Sequence, residues 1–353
     1  MPTTTMDTLL SCFVMITLTL SSMVGVYAIV HPFLQDQKSW NETQLSQKIA
    51  EYLLIEPGNP QNWGANLVDS LENFGLAKAG FTSAFELDID KVTRLNSENV
   101  YNISFLDAFS ALGAPDKPFR IEINPVFDVS VNLTSKQEGL LETVYTFEVT
   151  TRKSGMLVAA SINCYAVFAN EVASNSSSTS SSGTGTVEIS LLNTGNGTAL
   201  FIVFAETEPR IVSYAVYSFG HQLSGNPHSR GEYATLSPID YTLRVDLVSE
   251  TNIVSNGMVF TCDHWFSLDE LNKSLTTQFF GIPQLLDASP LVLVGTGVDG
   301  ETYFAEWTVY PQIPVDFGLD FTSQFDLTDY CSFRYFVTIN SAVYVCEVTV
   351  GGT

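Results

Sequence analysis

Side chains that could catalyse a reaction or bind a metal are few in this chain of 353 residues. The triplet Cys262-Asp263-His264 places two metal-binding side-chain types together, but a zinc site needs three or four ligands, usually in spaced pairs. No C-x-x-C, H-x-x-x-H or H-E-x-x-H spacing occurs. The triplet therefore predicts a strand with a buried thiol and an exposed imidazole rather than a metal site. Of the other histidines, His31 lies beside an apolar segment, whereas His221 and His228 flank a loop and are expected to be solvated.

Paired carboxylates are the second kind of candidate, because they could serve a glycosidase or bind calcium. They occur at Asp88/Asp90, Asp316/Asp320 and Asp326/Asp329, in a chain with 38 acidic residues, where such pairs arise by chance. No D-x-[DN]-x-[DN]-G calcium loop and no G-x-S-x-G nucleophile elbow is present, and GTGVDG at 295–300 lacks the lysine of a phosphate-binding loop. A Ser-His-Asp triad stays open, because its members can be distant in the chain. We predict a non-enzymatic protein with no catalytic, cofactor-binding or metal residues.

The four tryptophans could stack on sugar rings if their indoles were exposed. Trp63 lies in a turn-rich stretch and Trp307 in an alternating stretch, so packing in a turn or core is favoured for both. Trp40 is a candidate anchor at a membrane interface, and Trp265 adjoins the Cys262-Asp263-His264 triplet.

One apolar stretch must position everything that follows it. Thr8 to Val30, TLLSCFVMITLTLSSMVGVYAIV, contains no charged residue and no proline. As a helix it would extend roughly 34 Å, enough to cross a bilayer core about 30 Å thick. Its Ser and Thr hydroxyls can bond back to the preceding turn. The sequence therefore predicts a single membrane span in residues 1-36, with the membrane as a partner through Thr8 to Val30.

Charge and sequons predict where the rest of the chain lies. The net charge of −23 argues against binding nucleic acid or anionic lipid. Six Asn-x-Ser/Thr sequons follow the span, at Asn41, Asn102, Asn132, Asn175, Asn196 and Asn272. We therefore expect a single-pass protein of the cell membrane, with extracellular, glycosylated C-terminal domains.

The cysteines outside the span are Cys164, Cys262, Cys331 and Cys346. If Asn340-Ser341 is the tip of a hairpin, Cys346 lies opposite Tyr335. The offset to Cys331 is then roughly 13 Å along the strand, beyond the ~7 Å Cα limit for a disulfide. A disulfide from Cys262 to Cys331 or Cys346 is favoured, with reduced buried thiols as the open alternative.

A neck predicted at 37-112 follows the span. His31-Pro32-Phe33 should break the helix, and Ser39 or Asn41 could cap a new one. An amphipathic helix over Thr43 to Ile55 should bury Leu45, Ile49, Tyr52 and Leu53. In ELDIDKVTRLN, residues Ile89, Val92 and Leu95 form a second, short helical face.

The order of these motifs resembles archaeal pilin-like, membrane-anchored surface proteins. The resemblance covers residues 6 to about 110: the span, AEYLLIEPGNPQNWG, FGLAKAG and LDIDKVTRLN. It implies an N-terminal hydrophobic helix that carries an outer body. The first residues, MPTTTMD, lack the basic leader and the glutamate of a pilin precursor, so a permanently anchored protein and a subunit of a pilus-like assembly both stay open.

From Phe119 the apolar period changes to two, which is typical of strands. Residues 113-222 resemble Ig-like β-sandwich modules of the carboxypeptidase-regulatory type through YTFEVTTRKSG, MLVAASINCYAV and TGNGTALFIVFAE. The Ser-rich run from Ser174 to Thr186 is expected to be an exposed loop within that sandwich. Leu223 to Glu232 is a predicted boundary, followed by a second mostly β domain at 232-353 in which only Leu268 to Phe280 suggests a helix.

The predicted fold class is thus mainly β, with an N-terminal transmembrane and amphipathic helix followed by two β-sandwich domains. The predicted function is that of a structural or adhesive cell-surface protein, which could form homo-oligomers and contact envelope polymers or glycans. The alternatives are a pilus-like filament subunit, an anchored carbohydrate-active or proteolytic enzyme with its site in the C-terminal β domain, and a substrate-binding receptor.

Overall fold

The computed structural model describes residues 3–80, 83–223, 234–246, 253–274, 276–283, 288–297, 299–321 and 330–351, without the side chains of 3–5 and 32–39. The helices are α1 (Thr3–Ile55), α2 (Ile89–Leu95) and α3 (Phe105–Leu112), with one 3-10 turn at Trp63–Ala65. The strands in chain order are β1 (Glu86–Leu87), β2 (Phe119–Pro125), β3 (Asp128–Glu138), β4 (Glu142–Lys153), β5 (Met156–Leu157), β6 (Ser161–Phe168), β7 (Glu171–Ser178), β8 (Thr184–Leu192), β9 (Asn196–Glu208), β10 (Ile211–His221), β11 (Ala234–Ser237), β12 (Thr242–Asp246), β13 (Ile253–Phe260), β14 (Trp265–Ser267), β15 (Glu270–Lys273), β16 (Thr277–Gly281), β17 (Ser289–Thr296), β18 (Thr302–Tyr310), β19 (Val315–Gly318), β20 (Tyr330–Ile339) and β21 (Ala342–Gly351). The mainly β fold with an N-terminal apolar helix is confirmed.

The long first helix differs from the prediction that the chain breaks at His31-Pro32-Phe33. α1 is a single helix of 53 residues that continues through Pro32, so the predicted break and the cap at Ser39 or Asn41 are wrong. A proline removes one backbone donor, but the hydrogen bonds of the turns on either side can keep a long helix continuous.

Sheet 1 receives the end of α1. Its strand order is β1-β20-β21-β2-β19, with β1 parallel to β20 and the other pairs antiparallel. The alternation predicted from Phe119 is confirmed, because Phe119, Ile121 and Ile123 are buried while Glu122 is not. These three side chains share one hydrophobic cluster with the last turns of α1 and with α2.

α1 and β20 run side by side in the same direction. Cys331 Sγ lies 3.7 Å from Thr43 Oγ1, and the charge of Glu51 raises the pKa of Tyr335, after burial as the larger cause. The rise from Thr43 to Glu51 along a helix is ~12 Å. The rise from Cys331 to Tyr335 along a strand is ~13 Å. The strands of sheet 1 therefore extend along the helix, away from its apolar end.

Sheets 2 and 3 face each other across a second core. Sheet 2 has eight strands in the order β14-β13-β17-β18-β9-β6-β7, with β10 paired to β9; sheet 3 contains β3, β4, β5 and β8. Phe147 of β4 stacks on Phe201 of β9, with ring centroids 3.9 Å apart. Val187, Ile189 and Leu191 of β8 are buried in the same cluster, as the period of two predicts.

The Ser-rich run is not the predicted loop. Ser174 to Ser178 belong to β7 and pair with β6, and Thr184 to Thr186 belong to β8 and pair with β4. Serine and threonine can form a ladder through their backbone groups while their side chains stay in water. Thr179, in the turn between the two strands, is 4% exposed, and its hydroxyl accepts a hydrogen bond from Ala160 N at 2.7 Å.

Sheet 4 contains β11, β12, β16 and β15 and packs on β13 and β17 of sheet 2. The helix predicted at Leu268 to Phe280 is wrong, because this stretch forms β15 and β16, an antiparallel pair. Phe280 and Gln278 alternate inward from β16, and Phe280 fills the core that Leu243 and Val245 also line. The need to bury this phenylalanine against β12 overrides a weak local preference for helix.

The predicted segments contribute jointly to sheet 1. β2 comes from the segment predicted at 113-222, and β19, β20 and β21 come from the one predicted at 232-353. Most of the predicted boundary at Leu223 to Glu232 lies outside the described residues.

Candidate functional site: the N-terminal helix and its junction with the sheets

The first half of α1 is the most apolar surface of the described chain. Met6–His31 is 26 residues long, with a mean hydropathy of 2.1 in its best window, and none of that window is buried. Every side chain from Met6 to Val30 is exposed. One helix is thus long and apolar enough to span a membrane, which accords with the predicted span.

Three hydroxyl groups within this segment bond back to the preceding turn, as predicted for its Ser and Thr residues. Thr17 Oγ1 donates to Phe13 O at 3.0 Å, Thr19 Oγ1 donates to Met15 O at 2.6 Å, and Ser22 Oγ donates to Thr19 O at 2.9 Å. In hydrocarbon each unsatisfied polar group costs several kcal/mol. These back-bonded hydroxyls would therefore add little to the cost of placing the helix in a bilayer.

The last turns of α1 bind the helix to sheet 1. Ala50, Leu53 and Leu54 are fully buried, and Ser46 is 2% exposed. Of the predicted apolar face, Leu53 is buried and Ile49 packs against the cluster, whereas Leu45 is 48% exposed. The buried face is thus rotated toward Ser46 and Ala50, and Tyr52 is half-buried, with its hydroxyl donating to Asn73 Oδ1 at 2.8 Å.

The turn after α1 is fixed by Trp63, whose packing in a turn is as predicted. Its indole is 2% exposed and donates from Nε1 to Gly75 O at 2.9 Å. A side chain at Gly75 would lie 2.2 Å from Glu56 O, so only glycine allows this close approach of the two backbones. Gly58, with φ of 78°, supplies the left-handed turn.

Three charged side chains of α2 complete what we call the junction, defined as Pro57, Trp63, Ala77, Asp90, Lys91, Arg94, Tyr241 and Tyr310. The Lys91 amine, which is fully buried, donates to Pro57 O at 2.8 Å and to Ala77 O at 2.7 Å. The Arg94 guanidinium lies 5.6 Å from the Trp63 ring centroid and donates to Trp63 O, and from Nε to Tyr101 O at 2.8 Å.

Asp90 connects α2 to the strands that follow in the chain. Its carboxylate accepts a hydrogen bond from Tyr241 OH at 2.9 Å and another from Tyr310 OH. Asp88 instead caps α2, because its Oδ1 accepts from Asp90 N at 3.1 Å and from Lys91 N at 3.2 Å. In the predicted carboxylate pair, Asp88 therefore caps α2, and Asp90 is a buried acceptor for two tyrosine hydroxyls.

Burial shifts the pKa values of the junction. It raises the pKa of Asp90 to about 6, against the opposing hydrogen bond from Tyr310. Burial also lowers the pKa of Lys91 to about 8 and lowers the pKa of Arg94. These groups face backbone carbonyls, an indole and phenols, so the arrangement orients chain segments relative to one another.

The other predicted candidates are spread over the molecule. His221 is buried, not solvated as predicted: Tyr145 OH lies 2.8 Å from its Nδ1 and Leu192 O lies 3.1 Å from its Nε2. Burial lowers the pKa of His221. Cys262-Asp263-His264 lies in the connection between β13 and β14, not in a strand as predicted, whereas the burial of Cys262 and the exposure of His264 are as predicted. Among the described residues, no three His, Cys, Asp or Glu side chains form a group that could hold a metal.

The remaining carboxylate pairs have other positions. Asp316 pairs with Arg120 at 2.7 Å, and Asp320 lies 3.9 Å from the same guanidinium. Arg120 thus lies between the two carboxylates on the outer face of sheet 1. Asp326, Asp329 and His228 lie outside the described residues.

All five cysteines are free thiols, so the favoured disulfide from Cys262 is absent and the reduced alternative is the one found. The hairpin register behind that argument is confirmed, since Cys346 pairs with Tyr335 and Cys331 pairs with Val350. Burial raises the pKa of Cys164 and of Cys346 to about 12 in each case, which keeps both thiols protonated and unreactive.

The junction is the part that sequence reasoning missed. The apolar face of LDIDKVTRLN is buried through Val92 and Leu95, as its spacing predicts. Its charged residues Asp90, Lys91 and Arg94 are buried too and form the hydrogen bonds of the junction. The signal in the sequence that could have indicated the junction is the presence of charged side chains between the apolar positions of so short a helix. The tyrosine partners of Asp90 lie 151 and 220 residues away along the chain, and no local pattern indicates them.

No protein-family model and no curated protein matches this chain. The helix, the junction and the surrounding surface are therefore the basis for assigning a function.

Proposed function

We propose that this chain is a non-enzymatic cell-surface protein, anchored by its N-terminal helix and presenting its sheets outside the cell as a structural or adhesive unit. The observation that carries the proposal is the exposure of α1. A water-soluble protein would have to expose a predominantly apolar helical segment of 26 residues, none of whose most apolar window is buried, whereas lipid would cover it.

The junction supports a role for this helix in positioning the sheets. The membrane segment continues without interruption into turns that are buried against sheet 1. Buried hydrogen bonds from Lys91, Arg94 and Asp90 then connect the following turn to strands of later segments. Such an arrangement holds the sheets at a defined orientation to the N-terminal helix α1.

The surface supports an extracellular location for the sheets. All six sequon asparagines are exposed, as oligosaccharide attachment requires. The net charge of −23 also suits a solvated body that repels its neighbours. In the finer form of the proposal, sheets 2 and 3 form an Ig-like sandwich, and the neck belongs to the pilin-like group.

The test is a fractionation of cells that express the full chain. We expect the protein to stay with membranes after alkaline carbonate washing, and protease added to intact cells to degrade the sheets. Recovery of the protein as a detergent-free soluble monomer would contradict the proposal. Protection from protease in intact cells would contradict the outward orientation.

A pilus-like subunit is the second candidate, favoured by the uninterrupted rod of α1 lying along β20. Amino-terminal sequencing of the membrane-extracted protein separates the two candidates. A mature chain that starts near Asp7 would favour the filament subunit, and an intact Met1 would favour the anchored monomer.

A further inference from the structure

Sheet 2 curls so that strands from its two ends face each other. β6 lies near one end of the strand order and β13 near the other, yet the rings of Tyr165 and Phe260 are 5.3 Å apart. Tyr165 OH also donates to Cys262 O at 3.4 Å. The curl encloses a hydrophobic cluster that both halves of the sheet share. β14 and β7 are edge strands of sheet 2, at opposite ends of its strand order. We call the border of the curl beside them the rim.

Trp265 is the aromatic residue at this rim. It is the first residue of β14, and its indole stacks on Phe260, with ring centroids 6.2 Å apart and an interplanar angle of 26°. Phe260 is fully buried, whereas Trp265 is 41% exposed. A buried ring thus supports an indole that still has surface open to solvent, which makes Trp265 a fixed aromatic platform.

Neutral polar side chains belong to the opposite half of the same curl. Ser176 of β7 donates from its hydroxyl to Asn163 Oδ1 at 3.0 Å, and Asn163 Nδ2 lies 3.9 Å from Cys262 Sγ. Ser176 pairs with Asn163, and Ser174 with Tyr165, so these serines share the face that Tyr165 buries. Asn163 thus connects this polar half to Cys262, which precedes Trp265 by three residues in the chain.

We propose that this rim, defined as Asn163, Ser174, Ser176 and Trp265, is a binding site for an uncharged glycan. The apolar C–H face of a hexose packs on an exposed indole, and its hydroxyls pair with amide and hydroxyl groups that donate and accept. Nucleic-acid bases also stack on aromatic rings, but they bring phosphates that need a basic groove. The exposed carboxylate of Asp263 and the charge of −23 oppose any anionic ligand.

This site gives the proposed surface protein a ligand class, and so it rests on the proposed function. Its test is affinity electrophoresis of the detergent-solubilised full chain through gels that contain mannan, β-glucan or dextran, with dextran sulfate as the anionic probe. We expect at least one neutral polysaccharide to retard the wild type, and dextran sulfate to have no effect.

The variants Trp265→Ala, Trp265→Phe and Asn163→Ala locate the site, and Trp40→Ala is the matched control, because Trp40 is an exposed tryptophan on α1. Trp265→Ala should lower the apparent affinity that the retardation reports at least tenfold, and Asn163→Ala should lower it several-fold. Trp265→Phe should keep most of the retardation, and Trp40→Ala all of it. Rescue by phenylalanine separates stacking from loss of folding.

Two outcomes would overturn the site: no retardation by any neutral polysaccharide, or equal retardation of the wild type and Trp265→Ala. Carbonate extraction of the same preparations keeps this result separate from the proposed anchoring. If the protein stays in membranes but binds no glycan, the rim proposal alone fails. If it leaves the membranes, the surface function fails as well.

Discussion

At the scale of single residues, the junction places charged groups where water does not reach. Lys91 is fully buried and Arg94 is 9% exposed, but both donate to backbone carbonyls. A buried charge is tolerated when hydrogen bonds replace its hydration. Removing one partner leaves the other buried and unpaired, which usually costs more than the interaction contributes. These residues should therefore be sensitive to substitutions that preserve their size.

Asp90 should make the stability of the fold depend on pH. Its pKa is about 6 in the folded protein against an ordinary value of 3.8. The raised pKa means that the protonated form stabilises the fold, fully below about pH 4, and that this contribution is lost as pH rises through about 6. The difference in free energy of unfolding between wild type and Asp90→Asn should therefore fall by ~2 kcal/mol from pH 4 to pH 7.5.

Urea denaturation of both proteins at several pH values measures this difference. Asp116→Asn is the control, because Asp116 is exposed. A difference between wild type and Asp90→Asn that is constant with pH would show that Asp90 does not titrate as described.

Lys91→Met should destabilise the protein by ~2–5 kcal/mol, because the carbonyls of Pro57 and Ala77 would lose their buried donor. Lys48→Met, at an exposed position of α1, should change stability by less than ~0.5 kcal/mol. Thermal unfolding followed by circular dichroism compares the two. Equal midpoints would contradict a structural role for the Lys91 amine.

At the scale of elements, α1 has two parts with different surroundings. Its first part is apolar on every side and exposed, and its last turns bury one face against sheet 1. A helix that is apolar all round needs lipid or a large core to cover it. A charge in the first part should therefore affect membrane binding without changing the sheets.

Leu18→Arg tests this division. Arginine near the centre of a spanning helix costs ~2.5–3.5 kcal/mol on insertion scales, so the fraction of protein that resists carbonate extraction should fall. Leu141→Arg is the matched control, because Leu141 is 80% exposed but lies outside α1, between β3 and β4. Equal retention of both variants would contradict the assignment of α1 as the anchor.

The β20–β21 hairpin depends on the backbone of Asn340. Its φ of 54° is in the left-handed region, which asparagine and glycine adopt more readily than β-branched residues. Asn340→Val should therefore cost ~1–2 kcal/mol, and Asn340→Gly should be close to neutral. Chemical denaturation measures the free energy of unfolding of the two variants. Both lack the asparagine side chain, so the difference between them reports backbone strain alone.

At the scale of the whole molecule, the last turns of α1 and the last strand of the fold pack together at sheet 1. β21, which ends at Gly351, pairs with both β20 and β2, and its inward side chains Tyr344, Cys346 and Val348 share a cluster with Leu53 of α1. The anchor is thus attached to a sheet that the C-terminal residues complete. Neither the last turns of α1 nor β21 can bury its apolar face without the other.

A chain that ends at residue 329 should therefore lose cooperative folding around α1. Removal of β20 and β21 exposes the side chains that α1 covers, so limited proteolysis should cut between residues 45 and 80. A chain that lacks only residues 352–353 is the control and should resist. Equal protease resistance of the two chains would show that the neck folds without the C-terminal hairpin.

The sequence by itself determined the features that depend on local periodicity. These are the apolar helix, most of the strands and the hairpin register that places Cys346 opposite Tyr335. Each follows from side chains that alternate along one element, so a short window contains the necessary information.

Only the tertiary structure decided what depends on contacts between distant segments. It buries His221, extends the Ser-rich run into β7 and β8, makes strands of Leu268 to Phe280 and joins Asp90 to Tyr241 and Tyr310. Neighbouring strands and closed cores override local propensity, because burying apolar surface and satisfying backbone groups contribute more free energy than the preference of a short segment.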